Sequence, residues 1–389
     1  AQRAYDAGLE RSNQQTLQSR LNQTNIAVLN PAVAPLHPSR PRVGLNMGLA
    51  LFFGLFLGVN AAVLTELRRR RVRLIDDITE RSTIPVLGTL PWAQAAPRKS
   101  NVSTAVQETQ TSGDMLPLGK ILVNAGRLNA DSTDRVLDYQ RTRQVRFGQA
   151  ALKLKLISED DLEQALARQF NYRYLRPGEG DLSLELIAAY RPFSAPAEAL
   201  RSLRSQVWAR WFSVGEKALA LVSPGQGDGR SYLVANLAIA FVQRGERVLI
   251  LDADLRAPRQ HEIFGLQNQE GLSTYLSERT AQAPLIEISA FPGLVVAPSG
   301  PEPPNPHELL SRKRMRDMLD SARENFDIIF VDTPAFSSAA DARELCQLTR
   351  GALLLARQNS TLLGELGNVE RDLNAASIQC IGYVVNCGA

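Results

Sequence analysis

Residues Ser223 to Ala238 read SPGQGDGRSYLVANLA and directly follow an apolar run. Within this stretch Gly225, Gly227 and Gly229 allow the tight turns that point backbone N–H groups at a phosphate. A helix that starts near Ser231 would add the positive end of its dipole, and the Ser231 hydroxyl is positioned for a magnesium ion. The stretch therefore predicts a phosphate-binding loop between a strand and a helix. The alternative is that its glycines form only a turn.

The loop departs from the usual phosphate-binding pattern at two positions. Arg230 stands where that pattern has lysine, and Pro224 replaces its first glycine. Arginine can hold phosphate oxygens, but its planar fork is bulkier than an ammonium group and is placed differently. We therefore expect nucleotide binding, with less efficient phosphoryl transfer.

Apolar runs of strand length alternate with amphipathic segments over the C-terminal half of the chain. Near-continuous apolar strands separated by helices are typical of a parallel sheet covered on both faces. The pattern predicts an α/β fold with a doubly wound parallel sheet, whose ligands bind where the strands end. The strand candidates are Ala218–Val222, Val248–Asp252, Leu294–Ala297, Ile328–Asp332, Ala352–Ala356 and Ile381–Asn386.

Three aspartates follow two of these runs. VLILDADLR places Asp252 and Asp254 at the end of one strand, and FDIIFVDTP places Asp332 at the end of another. Each could be an ordinary turn residue. Together with the glycine loop they would converge on a phosphate-bound magnesium ion, which prefers oxygen ligands.

In residue type and order, these motifs resemble those of the bacterial tyrosine kinases. Gly227–Ser231 resembles their Walker A motif, Asp252–Arg256 their Walker A-prime motif and Asp332–Pro334 their Walker B motif, and the resemblance spans about 190–389. It implies transfer of the ATP γ-phosphoryl group to a tyrosine hydroxyl, with ATP and Mg²⁺ as cofactors. It also implies that Asn386 contacts adenine.

The resemblance assigns roles to particular residues. Arg230 would hold phosphate, Ser231 and Asp332 would ligate or orient magnesium, and Asp252 and Asp254 would assist the metal and the acceptor. The nucleotide site would comprise Gly225, Gly227, Asp228, Gly229, Arg230, Ser231, Tyr232 and Asn386; the metal ligands would be Ser231, Asp252 and Asp332; the catalytic residues would be Arg230, Asp252, Asp254 and Asp332.

Two further features bear on that family. Glu198, Arg201 and Arg204 resemble its E-x-x-R-x-x-R contact helix, which implies a homo-oligomer; their alternative is a solvated helix face. The kinases of this family also carry a tail of clustered tyrosines. The tyrosines of the C-terminal half do not cluster, which counts against autophosphorylation: Tyr190, Tyr232, Tyr275 and Tyr383.

A membrane span is predicted upstream. Val43 to Thr65 carries no charge and is long enough to cross a bilayer, although a buried core helix is the alternative. Arginines at 68–71 and 73 follow it, so the positive-inside rule places 66–92 and everything beyond in the cytoplasm. The chain is therefore expected at the inner (plasma) membrane, with 1–42 on the periplasmic side.

The segment before the span has a polar, helix-like part and then four prolines, Pro31, Pro35, Pro38 and Pro41. A proline-rich linker is one interpretation. Residues 1–92 also resemble the C-terminal end of chain-length determinant proteins, the polysaccharide co-polymerases. That resemblance implies a role with a polysaccharide polymerase and its export machinery. Since the chain begins at Ala1 without a methionine, we expect it to be a fragment.

Between the span and the sheet lie a linker and a repeat. Residues 93–115 have a linker composition, and 116–178 contain two similar units beginning at Leu118 and Phe147. Asn129 and Ser158 are predicted helix N-caps. The pattern resembles the N-terminal domain of secretion ATPases, and some relatives of that domain bind cyclic di-GMP. Only the second unit keeps the arginine of their motif, Arg146, so a docking module is favoured.

The overall charge argues against nucleic acid as a partner. Without the five clustered arginines at 68–71 and 73, the net charge of +4 becomes −1. Three cysteines without CxxC spacing also indicate neither a disulfide framework nor a zinc site.

Three functions remain open. The first is a co-polymerase and tyrosine kinase on one chain, acting in exopolysaccharide export and chain-length control. The second is a nucleotide-gated scaffold without kinase activity. The third is a partitioning ATPase of the same superfamily, whose signature lysine is replaced here by Gly225.

Overall fold

The computed structural model describes residues 2–21, 42–68, 70–91, 117–169, 174–175, 181–337 and 340–388. It divides into two units, 1–67 and 68–389. The predicted linker at 93–115 and the four prolines of the N-terminal segment lie outside the described residues.

The first unit contains two helices, α1 (Gln2–Leu21) and α2 (Val43–Arg68). The Val43–Thr65 part of α2 has a mean hydropathy of 2.1, and none of it is buried. Because leucine and phenylalanine side chains cover this helix, its length and composition suit a bilayer rather than water.

The second unit begins with α3 (Asp76–Thr79) and β1 (Val86–Leu90). Its helical repeat contains α4 (Leu118–Asn124), α5 (Ala130–Arg143), α6 (Phe147–Lys153) and α7 (Glu159–Gln169). The remainder comprises α8 (Ile187–Tyr190), α9 (Ala195–Arg210), a 3₁₀ turn (Phe212–Val214), β2 (Ala218–Val222), α10 (Arg230–Val242), β3 (Val248–Asp252), α11 (Gln260–Ile263), α12 (Leu272–Leu276), β4 (Ile286–Glu287), β5 (Leu294–Ala297), α13 (Pro306–Leu310), α14 (Lys313–Asn325), β6 (Ile328–Asp332), α15 (Asp341–Thr349), β7 (Gly351–Arg357), α16 (Leu363–Ala375) and β8 (Gln379–Asn386).

One sheet organises the second unit. Its strand order is β1-β8-β7-β2-β6-β3-β5-β4, and every pair is parallel except β4 with β5. Alternate residues of β2 face opposite sides: Leu219 and Leu221 pack with α9 and α10, whereas Ala220 and Val222 pack toward α15 and α16. Helices cover both faces, so the predicted doubly wound sheet is confirmed.

The strand predictions omitted β1. It comes from PVLGTLP at the end of the predicted juxtamembrane segment 66–92, and it pairs in parallel with β8. Leu87 lies against Gly382, where an added Cβ would be 2.3 Å from Leu87 Cγ. Upstream of β1, Val72 is fully buried. Its amide donates to the carbonyl oxygen of Thr361, and its carbonyl oxygen accepts from the amide of Asn359. The stretch after α2 is therefore part of the sheet domain.

The repeat folds as two helical pairs around a small apolar core that includes Leu122 and Val136. Asn129 accepts a hydrogen bond from the amide of Ser132 at 2.8 Å, and Ser158 accepts one from the amide of Asp161 at 3.1 Å. Both predicted N-caps are confirmed.

Candidate functional site

The glycine loop connects β2 to α10 at the carboxyl edge of the sheet. Gly227 and Gly229 have φ angles of +78° and +105°, a region that side chains strongly disfavour. A Cβ on Gly229 would also lie 2.5 Å from Nδ2 of Asn386. Glycine is therefore required at 229 for both its backbone angle and its space. The helix begins at Arg230, one residue earlier than predicted.

Arg230 is buried and bonds to the protein itself. Its Nη1 donates to the carbonyl oxygen of Gly225 at 2.7 Å and to the hydroxyl of Ser223. Its Nε donates to the carbonyl oxygen of Thr333 at 2.8 Å, and its Nη2 lies 3.6 Å from Oδ2 of Asp254. The guanidinium thus joins the glycine loop to the ends of two other strands.

Other side chains fix the rest of the loop. Oδ2 of Asp228 accepts from the amide of Gly225 at 2.8 Å, and its Oδ1 accepts from the Thr361 hydroxyl at 3.3 Å. Asn386 donates to the carbonyl oxygen of Asp228 at 2.9 Å, and Arg357 donates to that of Gly227 at 3.1 Å. In this structure Asn386 therefore holds the loop, and the adenine contact stays a prediction.

Asp252 and Asp332 end adjacent strands and are direct partners in the β3–β6 register. Both are fully buried. Gln260 touches both: its backbone amide donates to Oδ2 of Asp252 at 3.0 Å, and its Nε2 donates to Oδ2 of Asp332 at 2.7 Å. The sheet thus brings together two of the three aspartates that the sequence predicted would converge.

Burial makes both carboxylates weaker acids. It raises the pKa of Asp252 well above the ordinary value, and the negative charge of Asp332 adds to that effect. Burial also raises the pKa of Asp332 to about 6, against the opposing effects of the Gln260 hydrogen bond, the Arg230 charge and the Ser231 hydroxyl. Two buried acids side by side form a site that a cation would stabilise.

The residues fit a magnesium ion. Oδ1 of Asp252, Oδ1 of Asp332 and Oε1 of Gln260 are buried without a hydrogen-bond partner. Such atoms are costly unless a ligand satisfies them. Among the described residues no group of three or more His, Cys, Asp or Glu side chains could hold a metal by itself. The carboxylates of Asp252 and Asp332 with the hydroxyl of Ser231 suit magnesium, which usually keeps waters and phosphate oxygens as its other ligands.

Asp254 lies beside this pair. Its Oδ1 accepts from the amides of Arg256 and Ala257 at 3.3 and 3.0 Å, and its Oδ2 faces Arg230. Arg256 in turn donates to buried Asp341 at 2.8 Å. The chain after β3 is therefore tied both to the glycine loop and to the start of α15.

Some predicted residues lie away from this cluster. The ring of Tyr232 packs against the apolar core, and burial raises its pKa to about 12. On α9, Arg201 pairs with Glu198 and donates to the carbonyl of Pro192, while Arg204 donates to that of Ala240 at 2.8 Å. Both arginines thus make contacts within the chain, and the oligomer contact stays a prediction.

Sequence reasoning missed several residues of the site. Gln260 and Thr361 belong to none of the motifs and lie in the segments after β3 and β7, so no signal in one sequence marks them. Asp341 could have been noticed as an acidic residue that starts a helix after the Asp332 strand. In the repeat, Arg146 is exposed at the start of α6, and the cyclic di-GMP site stays a prediction.

A glycine loop between β2 and α10, with aspartates ending β3 and β6, defines a P-loop nucleotide-binding domain. The chain matches no protein-family model. It is 32% identical over 213 residues to tyrosine-protein kinase YwqD of Bacillus subtilis, covering 54% of this chain and 90% of that protein. The kinase domain of Escherichia coli tyrosine kinase ETK has a similar structure, with a TM-score of 0.51 and 28% identity; the match covers 55% of this chain and 84% of that one.

The chain therefore belongs to the bacterial tyrosine-protein kinases, as the motifs predicted. Tyrosine-protein kinase etk of Escherichia coli is 24% identical over 362 residues, or 93% of this chain. That match extends well upstream of the P-loop domain. The chain spans only 41% of the length of etk.

Proposed function

We propose that this protein is a membrane-anchored tyrosine kinase that binds Mg–ATP and acts in exopolysaccharide synthesis, export and chain-length control. The observation that carries the nucleotide part is the pairing of Asp252 with Asp332 beside the glycine loop, with one oxygen of each left without a donor. Membership of the tyrosine-kinase family supports the reaction, and the resemblance of residues 1–92 to co-polymerases supports the polysaccharide role.

Each residue has a proposed task in phosphoryl transfer. The amides that end the loop and the N-terminus of α10 would bind the phosphates. Ser231, Asp252 and Asp332 would hold magnesium, whose charge would neutralise the phosphate oxygens. Asp252 and Asp254 would also orient the acceptor hydroxyl. Arg230 would hold phosphate oxygens once its guanidinium leaves the Gly225 carbonyl.

A calorimetric titration of the chain with Mg–ATP tests this proposal directly. We expect saturable binding that is lost in the variant Asp332→Ala and retained in Asp372→Ala, since Asp372 is a half-buried acid on α16 that pairs with Arg343. A silent titration at millimolar nucleotide would remove the nucleotide function. Transfer of labelled phosphate to a tyrosine peptide then tests the kinase reaction separately.

The proposed location is the inner membrane. The apolar surface of α2 supports a single span at Val43–Thr65, and the arginines after it support a cytoplasmic P-loop domain. Labelling of single cysteines in intact cells tests the orientation. A cysteine at Ser39 should react with an impermeant reagent, and one at Ser311 should react only after lysis.

Self-association through α9 is a further part of the proposal. Glu198 is its most exposed member, with 71% of its side chain accessible. It is therefore available to a second copy, whereas Arg201 and Arg204 would have to exchange contacts. Sedimentation of detergent-solubilised chain should show a smaller species for Glu198→Arg than for the parent.

A nucleotide-gated scaffold without kinase activity is the second candidate. One observation favours it: the cation of the loop is bonded to the loop's own carbonyl, which hinders its use on phosphate. Nucleotide binding and nucleotide-dependent oligomerisation without transfer to any tyrosine peptide would select this function over the first.

A further inference from the structure

Gln260 is the first residue of α11 and is fully buried. It contacts three elements of the P-loop site at once. Its backbone amide donates to Oδ2 of Asp252, and its Nε2 donates to Oδ2 of Asp332 and, at 3.1 Å, to the carbonyl oxygen of Ser231. One residue therefore connects the ends of β3 and β6 to the start of α10.

These contacts leave a regular pattern of satisfied and unsatisfied atoms. In each aspartate, Oδ2 is bonded to Gln260 and Oδ1 is buried without a partner. The Oε1 atom of Gln260 is also buried without a partner. Because one oxygen of each carboxylate is fixed by Gln260, the other oxygen is the one that remains for a ligand.

The chemistry of an amide suits this place. The side-chain amide of Gln260 donates to Asp332 and its backbone amide donates to Asp252. Neither donor brings charge, so both carboxylates are fixed without a third negative group and without cancelling theirs. An arginine or lysine would compete with a metal for the same oxygens. The free Oε1 can accept a hydrogen bond, which is what a water molecule bound to a cation offers.

We propose that Gln260 is a positioning residue for the magnesium site. It orients Asp252 and Asp332 so that their Oδ1 atoms face the ion, and its Oε1 accepts from a water ligand of that ion. This inference rests on the proposed binding of Mg–nucleotide. The competing explanation is that Gln260 only joins three elements of the fold, in the way that any buried amide can.

The two explanations differ in what a substitution changes. Gln260→Met keeps the length of the side chain and removes the side-chain donor to Asp332 and the acceptor Oε1, while the backbone amide still donates to Asp252. We expect the affinity of the ADP complex for Mg²⁺ to fall at least tenfold, the usual effect of losing an outer hydrogen bond to metal ligands. The affinity for ADP in EDTA should stay within about twofold, because the glycine loop holds the phosphates without Gln260.

Calorimetry on the full chain measures both affinities, first ADP in EDTA and then Mg²⁺ added to the ADP complex. Gln243→Met is the matched control, since that glutamine follows the end of α10 and donates to the carbonyl oxygen of Ala188 on α8. It should leave both affinities unchanged. Gln260→Asn shortens the side chain by one methylene and so moves the amide away from Asp332. It should also reduce the Mg²⁺ affinity. This second variant provides the test if Gln260→Met does not fold.

Two results would overturn the inference. The first is a variant at position 260 whose Mg²⁺ affinity equals that of the parent. The second is a loss of Mg²⁺ and metal-free ADP affinity in equal proportion, accompanied by a lower melting temperature, which would indicate a purely structural role. If the parent chain itself binds no ADP, the proposed nucleotide function fails and this inference fails with it.

Discussion

Nη1 of Arg230 lies 2.7 Å from the carbonyl oxygen of Gly225, so the cation of the phosphate-binding loop is hydrogen-bonded to the loop itself. The guanidinium is also bonded to the carbonyl of Thr333 and lies near Asp254. These contacts stabilise the loop in the conformation described above. Nucleotide phosphates must therefore compete with protein acceptors for the same donor groups.

The variant Arg230→Lys should separate loop stability from ligand binding. An ammonium group cannot reach Ser223, Gly225 and Thr333 together, so we expect the free energy of unfolding to fall by about 1–3 kcal/mol. The same loss of internal partners frees the cation for phosphate, and Mg–ATP should bind roughly tenfold more tightly. Urea unfolding and calorimetry measure the two effects.

Arg244→Lys is the control for that experiment. Arg244 is a surface cation stacked over Trp208, with 3.7 Å between its guanidinium carbon and the ring centroid. Its replacement should leave ATP affinity unchanged. If Arg230→Lys binds ATP no better than the parent, the internal contacts of Arg230 do not limit binding.

The stability of the metal-free protein should depend on the protonation of Asp332. Its pKa is about 6 in the folded state, against an ordinary value of 3.8. The folded state thus binds the proton more tightly, so this group stabilises the fold below about pH 4, and the contribution is lost as the pH rises through 6. Asp332→Asn, which mimics the neutral acid, should exceed the parent in stability at pH 7.5 and approach it at pH 4.

Urea unfolding in EDTA at several pH values measures that difference. Asp327→Asn is a suitable control, because Asp327 is partly exposed and pairs with Arg247 at the opposite ends of the same strands. A difference between Asp332→Asn and the parent that does not change with pH would contradict the prediction.

Much of the sheet could be predicted from the sequence. Strands β2, β3, β5 and β6 are buried on both faces, so each is a continuous apolar run with clear ends. Strands β7 and β8 extend beyond their predicted ends, at Arg357 and Gln379, because backbone pairing continues into polar residues. Strand β1 was missed because five residues containing Gly88 become a strand only through contact with β8.

Only those parts of the site whose positions follow from the strand order of the sheet could be predicted. Parallel neighbours end at the same edge, so Asp252 and Asp332 had to meet once their strands were adjacent. The positions of Gln260 and Thr361 depend on the paths of the loops after β3 and β7. The periodicity of the sequence does not predict those paths. The internal bonds of Arg230 depend on side-chain conformation in the same way.

Asn386 offers a test between a loop-holding role and an adenine-reading role. Its Nδ2 donates to the carbonyl of Asp228, which supports the glycine loop. If Asn386 acts mainly by supporting the loop, Asn386→Leu should lower the affinities for ATP and for tripolyphosphate by the same factor, about tenfold. The reason is that the loop binds both ligands. Competition binding against a fluorescent nucleotide compares them. Weaker ATP binding with unchanged tripolyphosphate binding would favour the adenine role.

The docking of β1 on β8 predicts that Leu87 and Gly382 are energetically coupled. A methyl group at 382 would lie 2.3 Å from Cγ of Leu87. Gly382→Ala should therefore overpack this contact and lower the free energy of unfolding by about 1–3 kcal/mol. Leu87→Ala leaves a cavity and should cost about 2–5 kcal/mol. In the double variant the new methyl group occupies part of that cavity.

The free energy of unfolding of the double variant should therefore fall by less than the sum of the two single losses. The difference should be at least about 1 kcal/mol, as is usual for residues in contact. Gly88→Ala is the matched control on the same strand, because its Cβ would lie an ordinary 3.8 Å from Leu203 and should change stability little. Urea unfolding of the four proteins completes the cycle. Additive losses would mean that Leu87 does not pack on Gly382.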